Sequence, residues 1–201
     1  MAPTLQGRIA HAASLLRAGG VVAYPTETFY GLGALASRED ALRRLAQAKL
    51  RPDGKALPLI AADLAQAEAV ASLGDPLARR LAARFWPGPL TLVVPAQPSL
   101  SPLITQGDST VALRIPGAAV ARALAAAAGG AIVSTSANLS GEPPPWRPDD
   151  LSPALLARID GVLDGGPAPG GLPSTIVAIV AGSARLVRAG AVPWEDVAAA
   201  L

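Results

Sequence analysis

Short apolar, β-branched runs alternate along this chain with segments whose apolar residues recur at helical spacing, and that alternation limits the architectures open to it. VVAYP (21–25), LPLIA (57–61), WPGPLTLVVP (86–95), VALRIP (111–116), AIVSTSAN (131–138) and STIVAIV (174–180) read as strands. Most are apolar throughout, as strands buried on both faces are. GVLDGG (161–166) reads as a strand with a turn, and ARLVR (184–188) pairs with STIVAIV across Ala181-Gly182-Ser183 at hairpin spacing. Between these lie helical patterns over 5–18, 39–48, 64–72 and 76–85, an Ala-rich helix ending at Ala128, a short helix over 149–158 and a last one in WEDVAAAL. Gly19-Gly20 stops the first helix, and Glu39 and Asp40 sit in the first turn of the second, where the helix dipole favours them. The order predicts an α/β class: one layered domain over 1–201, a mixed sheet with helices around it. No repeat period and no linker-like stretch interrupts it, and 201 residues suffice for one core.

Composition removes several kinds of chemistry. With no Cys there is no disulfide, no thiol nucleophile and no Cys-ligated zinc. The single His, His11, falls in the first helical segment and reads as a surface or interface residue. Aromatics at 3% leave few stacking platforms for single-stranded nucleic acid. A net charge of +2 is not the footprint of bulk nucleic-acid binding. Weak, salt-sensitive RNA binding by scattered Arg residues stays open. The N-terminal segment carries Arg8, His11 and Arg17 and has no apolar run long enough for a signal peptide or a span. The simplest expectation is a cytoplasmic protein with no membrane role.

Polar residues gather where the predicted strands end: PTET (25–28), the KLRP turn (49–52), TVALR (110–114), STSAN (134–138), Ser174-Thr175 and LVR (186–188). Ligands of α/β sheets bind where strand ends open into a crevice. Hydroxyls, one Asn, one Lys and several Arg suit an anion with many oxygens. They do not suit acid–base work at neutral pH. Of 17 basic residues only Lys49 and Lys55 are Lys, and they flank Arg51 within seven residues. A compact ammonium beside a planar fork is a phosphate-binding combination. Lys49 is expected to be an exposed cavity lysine, and Lys55 a solvated charge near the mouth.

Each signal also has a plain structural reading. PTET works as a hydroxyl-capped turn, and Ser134, Thr135 and Ser136 as the satisfied end of a strand. Arg114, inside an apolar strand, needs a partner, either an ion pair or a ligand. DGGPAPGGLP (164–173) serves as a mobile connection or as a lid. No GxxxxGK[ST] is present, so there is no P-loop.

Taken together, PTETFYGLG, AKLRP, WPGPLTLV, TVALRIP, STSANLSG, PSTIVAI and LVRAG resemble, in this order, the YrdC-like family of threonylcarbamoyl-AMP synthases. The resemblance covers about residues 8–190, and the chain looks like the short, single-domain form. It implies a twisted mixed sheet around a concave, positive cavity. The implied reaction is L-threonine, bicarbonate and ATP to threonylcarbamoyl-adenylate and pyrophosphate, with Mg2+ accompanying the ATP and no dedicated protein metal site. A downstream threonylcarbamoyl-transferase complex would use the product to modify tRNA. Carried over by position, Lys49 and Arg51 would be catalytic and bind ATP with Thr110, Ser136, Asn138 and Arg188. Thr26, Arg114 and Thr175 would bind threonine. The chain departs from the pattern at Glu142–Trp146 (EPPPW) and at Pro173, where many relatives have Glu. Two other readings are a double-stranded RNA-binding module and a paralogue acting on a different carbamoyl or adenylate substrate.

Overall fold

The computed structural model describes residues 3–49 and 56–201. Helix α1 (Leu5–Arg17) starts where the Thr4 hydroxyl accepts from the Gly7 amide at 3.2 Å, and it buries Ala12, Ala13 and Leu16. Strands β1 (Val22–Pro25) and β2 (Tyr30–Gly33) form an antiparallel pair around the turn 26–29. Helix α2 (Glu39–Ala48) leads to the undescribed stretch 50–55, and β3 (Leu59–Ile60) follows it. Helices α3 (Leu64–Val70) and α4 (Pro76–Phe85) are capped by Asp63 and Asp75, whose carboxylates accept from the Gln66 and Leu77 amides. Such caps satisfy amides that the helix itself cannot.

After a cis Trp86–Pro87 bond come β4 (Leu90–Pro95), the one-turn α5 (Pro102–Thr105) and β5 (Thr110–Arg114). Helix α6 (Ala119–Ala128) ends at Gly129, whose φ of 81° lets the chain leave in the left-handed conformation. The remaining elements are β6 (Ile132–Val133), β7 (Thr135–Ser136), α7 (Pro153–Leu156), β8 (Gly161–Val162), β9 (Thr175–Val180), β10 (Ser183–Arg188) and α8 (Trp194–Ala198).

Parallel and antiparallel pairings mix, as expected, but the strands divide between two sheets. One has the order β7-β2-β1-β8 and the other β10-β9-β4-β5-β3-β6. The AIVSTSAN run is not one strand: β6 pairs with β3 in the larger sheet and β7 with β2 in the smaller, with Ser134 between them. Strand alternation sorts side chains into two cores. Val22 and Tyr24 of β1 pack with α1 and α6 in one, while Ala23 joins the larger core built on β4, β5 and β9. Among the described residues no helix is long and apolar enough to cross a membrane.

Candidate active site

The ends of strands from both sheets enclose a cavity of about 360 Å³. Thr26, Thr28 and Tyr30 reach it from the small sheet, Thr91, Arg114, Ser174 and Arg188 from the large one, and Ser134, Thr135 and Ser136 from the seam between them. The set has the character expected of an anion site: hydroxyls around two guanidinium groups.

The turn 26–29 is held by one hydroxyl. Thr26 Oγ1 donates to the Phe29 carbonyl at 2.7 Å and accepts from the amides of Thr28 and Phe29 at 3.2 and 3.3 Å. Both sequence readings of PTET therefore hold together: a hydroxyl-capped turn that also lines the cavity. Arg114 closes β5 with 7% exposure. Its Nε lies 3.5 Å from Glu27 Oε1, an ion pair without hydrogen-bond geometry. The sequence does not single out Glu27, one carboxylate in a turn whose partner lies far along the chain.

Arg188 ends β10 and turns its guanidinium onto Ser174. Nη2 donates to the Ser174 carbonyl at 2.7 Å and to its Oγ at 3.1 Å, and that Oγ lies 2.9 Å from Thr91 Oγ1. Burial and then the positive charge of Arg114 hold the Arg188 pKa below its ordinary value. Two cations thus share one cavity, an arrangement that favours an anion as its occupant.

Four of the nine candidates, Thr26, Arg114, Ser136 and Arg188, line the cavity. Arg51, like Lys55, lies outside the described residues. Lys49 is not the exposed lysine the sequence suggested: it is 5% exposed. Its ammonium donates to the Ser136 carbonyl, to the Asn138 carbonyl at 2.8 Å and to Asn138 Oδ1 at 3.3 Å. Asn138 in turn donates its amide to the Glu142 carbonyl. Lys49 and Asn138 thus shape the wall that carries Ser136. Thr110 shares a strand face with Ala112 and Arg114, but stands four residues before Arg114, about 13 Å away and past the lining residues.

Thr175 points away from the cavity, into the core. It is fully buried, with its hydroxyl donating to the Val192 carbonyl at 2.6 Å and accepting from the Val192 amide at 3.0 Å. Ser174 and Ile176 face the cavity instead, because neighbours along a strand face opposite ways. Thr91 joins the lining from β4. Leu90, Leu92 and Val94 are fully buried, so the hydroxyl between the first two must face the other side. The 164–173 segment borders the site and is tied down by Tyr30 OH to Gly166 O, Ala168 N to Trp146 O and Gly170 N to Thr28 O, each at 2.7 Å, and by Ala191 N to Pro173 O at 2.8 Å. Among the described residues no group of three His, Cys, Asp or Glu side chains is placed to hold a metal ion.

A family model named for Sua5, YciO and YrdC, and described as telomere recombination, matches residues 14–190. A threonylcarbamoyl-AMP synthase of Bacillus subtilis (strain 168) is 42% identical over 195 residues, 96% of this chain and 56% of its own. One from Stenotrophomonas maltophilia (strain K279a) is 46% identical over 157 residues, 77% and 84% of the two chains. Among solved structures, P. abyssi Sua5 complexed with L-threonine matches with a TM-score of 0.91 at 38% identity, covering 96% of this chain and 57% of that one. E. coli YciO matches at 0.82 and 27% identity, covering 94% and 91%. The chain spans little more than half the length of the B. subtilis and P. abyssi relatives.

Proposed function

The chain belongs to the Sua5/YciO/YrdC family, and on that footing we propose that it is a nucleotidyltransferase making threonylcarbamoyl-adenylate from L-threonine, bicarbonate and ATP. The observation that carries this reading is the pair of guanidinium groups, Arg114 and Arg188, converging on a hydroxyl-lined cavity at the strand ends. Two carboxylate- or phosphate-binding forks side by side fit an amino acid and a nucleotide brought together.

The threonine carboxylate sits on Arg114, as a planar fork pairs with a planar anion. Arg188, held by Ser174, faces the phosphates, and Ser136 borders them. The nucleoside extends along the open face of β5 toward Thr110, since the cavity itself is filled by the reacting groups. Lys49 fixes the 136–138 wall that carries Ser136. The threonine amine and bicarbonate condense to a carbamate with loss of water. A carbamate oxygen then attacks the α-phosphorus, and the bond to the β-phosphate oxygen breaks to release pyrophosphate. Negative charge is carried by the phosphoryl oxygens and the departing pyrophosphate, so the fixed cations lower the barrier by electrostatic stabilisation and by positioning. Magnesium enters as part of the MgATP substrate, and the described side chains build no cage for it. The product is a mixed anhydride, which fits an onward transfer of the threonylcarbamoyl group by a partner enzyme to tRNA.

Pyrophosphate release with each component omitted, in buffer freed of carbon dioxide, tests the proposal. Release is expected only with threonine, bicarbonate, ATP and magnesium together, with an AMP derivative as the other product. Formation of ADP and phosphate, or steady pyrophosphate release without threonine, overturns it.

A further inference from the structure

Arg114 is the more deeply buried of the two cavity cations, and its surroundings within the fold are one-sided. Its side chain is 9% exposed, Arg188 adds a like charge nearby, and among the described residues the carboxylate paired with it is Glu27, itself 15% exposed. A buried cation needs a counter-charge. Glu27 supplies it at one particular atom: Oε1 stands 3.5 Å from Nε, on the back edge of the guanidinium. Among the described residues Arg114 Nε is a buried donor with no hydrogen bond, while the two terminal nitrogens are not shut away from solvent. Arg114 lines the cavity and Glu27 does not.

Glu27 is fixed from its own side as well. It belongs to the turn that Thr26 Oγ1 holds, and its Oε2 lies 3.5 Å from the Ala118 amide, at the start of the ten-residue helix α6. A carboxylate there is favoured by the helix dipole. The carboxylate is thus set behind the guanidinium rather than across its open end.

We propose that Glu27 is a positioning residue for substrate carboxylate recognition: it holds Arg114 by its Nε edge so that the terminal nitrogens present a two-pronged face to the amino acid. This rests on the proposed synthase reading, in which Arg114 receives the threonine carboxylate. Glu27 itself touches no substrate. Its removal misaligns the fork and leaves Arg114 without its counter-charge.

The test is Glu27→Gln, which keeps size and removes charge, assayed for threonine KM, ATP KM and urea midpoint, with L-threonine amide as a second substrate. The parent must first bind threonine and release pyrophosphate; failure at that step overturns the synthase reading, and this inference with it. With an active parent, threonine KM is expected to rise by roughly tenfold to a hundredfold, the scale of a misplaced substrate, while ATP KM stays within about twofold, inside the additivity error of independent sites. With threonine amide, which has no carboxylate for Arg114, parent and variant are expected to converge. Equal losses for threonine and its amide, or equal shifts in both KM values, assign Glu27 a purely structural role and overturn the inference. Should Glu27→Gln not fold, Glu27→Asp, one methylene short with the charge kept, is expected to show the same threonine-only rise in weaker form, and its absence overturns the inference.

Discussion

Ser174 and Thr175 are adjacent hydroxyls with opposite employment. One touches Arg188 and Thr91 on the cavity side, and the other clamps Val192 to β9 from within the core. Both lie among buried polar groups, so removing either hydroxyl costs stability. Thr175→Val strands the Val192 amide and carbonyl and is expected to cost about 1–3 kcal/mol. Ser174→Ala lets Arg188 lose a charge-assisted bond at the site. What separates them is kinetic: Ser174→Ala is expected to lower kcat/KM by roughly tenfold, the worth of one such bond, and Thr175→Val to leave it within about twofold, as for a site that makes no contact with substrate. Urea midpoints and kcat/KM for both variants check this. A larger kinetic loss from Thr175→Val would reverse their assigned places.

At the scale of elements, β2 joins the small sheet to the Gly/Pro-rich segment through one side chain. Tyr30 donates its hydroxyl to Gly166 O at 2.7 Å, while its amide donates to Pro145 O at 2.8 Å. Burial pushes the Tyr30 phenol up from 10.0 to about 12. Above 10.0 the unfolded chain therefore releases a proton that the folded chain keeps, and rising pH favours unfolding. This contribution is fully present below 10.0 and is lost as pH rises through about 12. Burial raises Tyr24 as well and adds to the same alkaline loss. In Tyr30→Phe the urea midpoint is expected to fall less across that window than in the parent. An identical fall would mean that Tyr30 titrates alike in both states.

Elements with a strong period were legible in the sequence. The helix over 39–48 and the one over 76–85 appear at those bounds, and β9 and β10 pair across Ala181 and Gly182, both at positive φ. Strand β2 was not legible, because Tyr-Gly-Leu-Gly places glycine at two of its four positions and glycine weakens a strand pattern. The 149–158 pattern resolves into a turn of 3-10 helix (Pro148–Asp150) and the short α7, since Pro153 needs an N-terminal position. Residue types pointed to a crevice of hydroxyls and guanidinium groups, and the cavity is lined by both. Facing did not follow, because STIVAIV is apolar on both sides and its alternation is hidden.

For the molecule as a whole, the site exists only where the two sheets meet, so it forms with the fold rather than after it. Consecutive amides at the seam go to different sheets. Val133 N donates to Ala34 O at 2.9 Å, just past β2, and Ser134 N to Pro58 O at 2.8 Å, just before β3. The first bond ties the two sheets together, and the second extends the β6–β3 pairing. Hydrogen exchange at both amides is expected to require global unfolding, with protection equal to the stability from urea titration. Faster exchange at either one would reveal a local opening across the site.

That seam also decides how anything gets in. A cleft between separate lobes closes like a jaw, but here one strand run is sewn into both sides. Among the described residues, the rim includes the Thr26–Phe29 turn and the tethered 164–173 segment that ends at Pro173. Changes in that rim can alter which molecules enter and how fast they leave while the reacting geometry beneath stays the same.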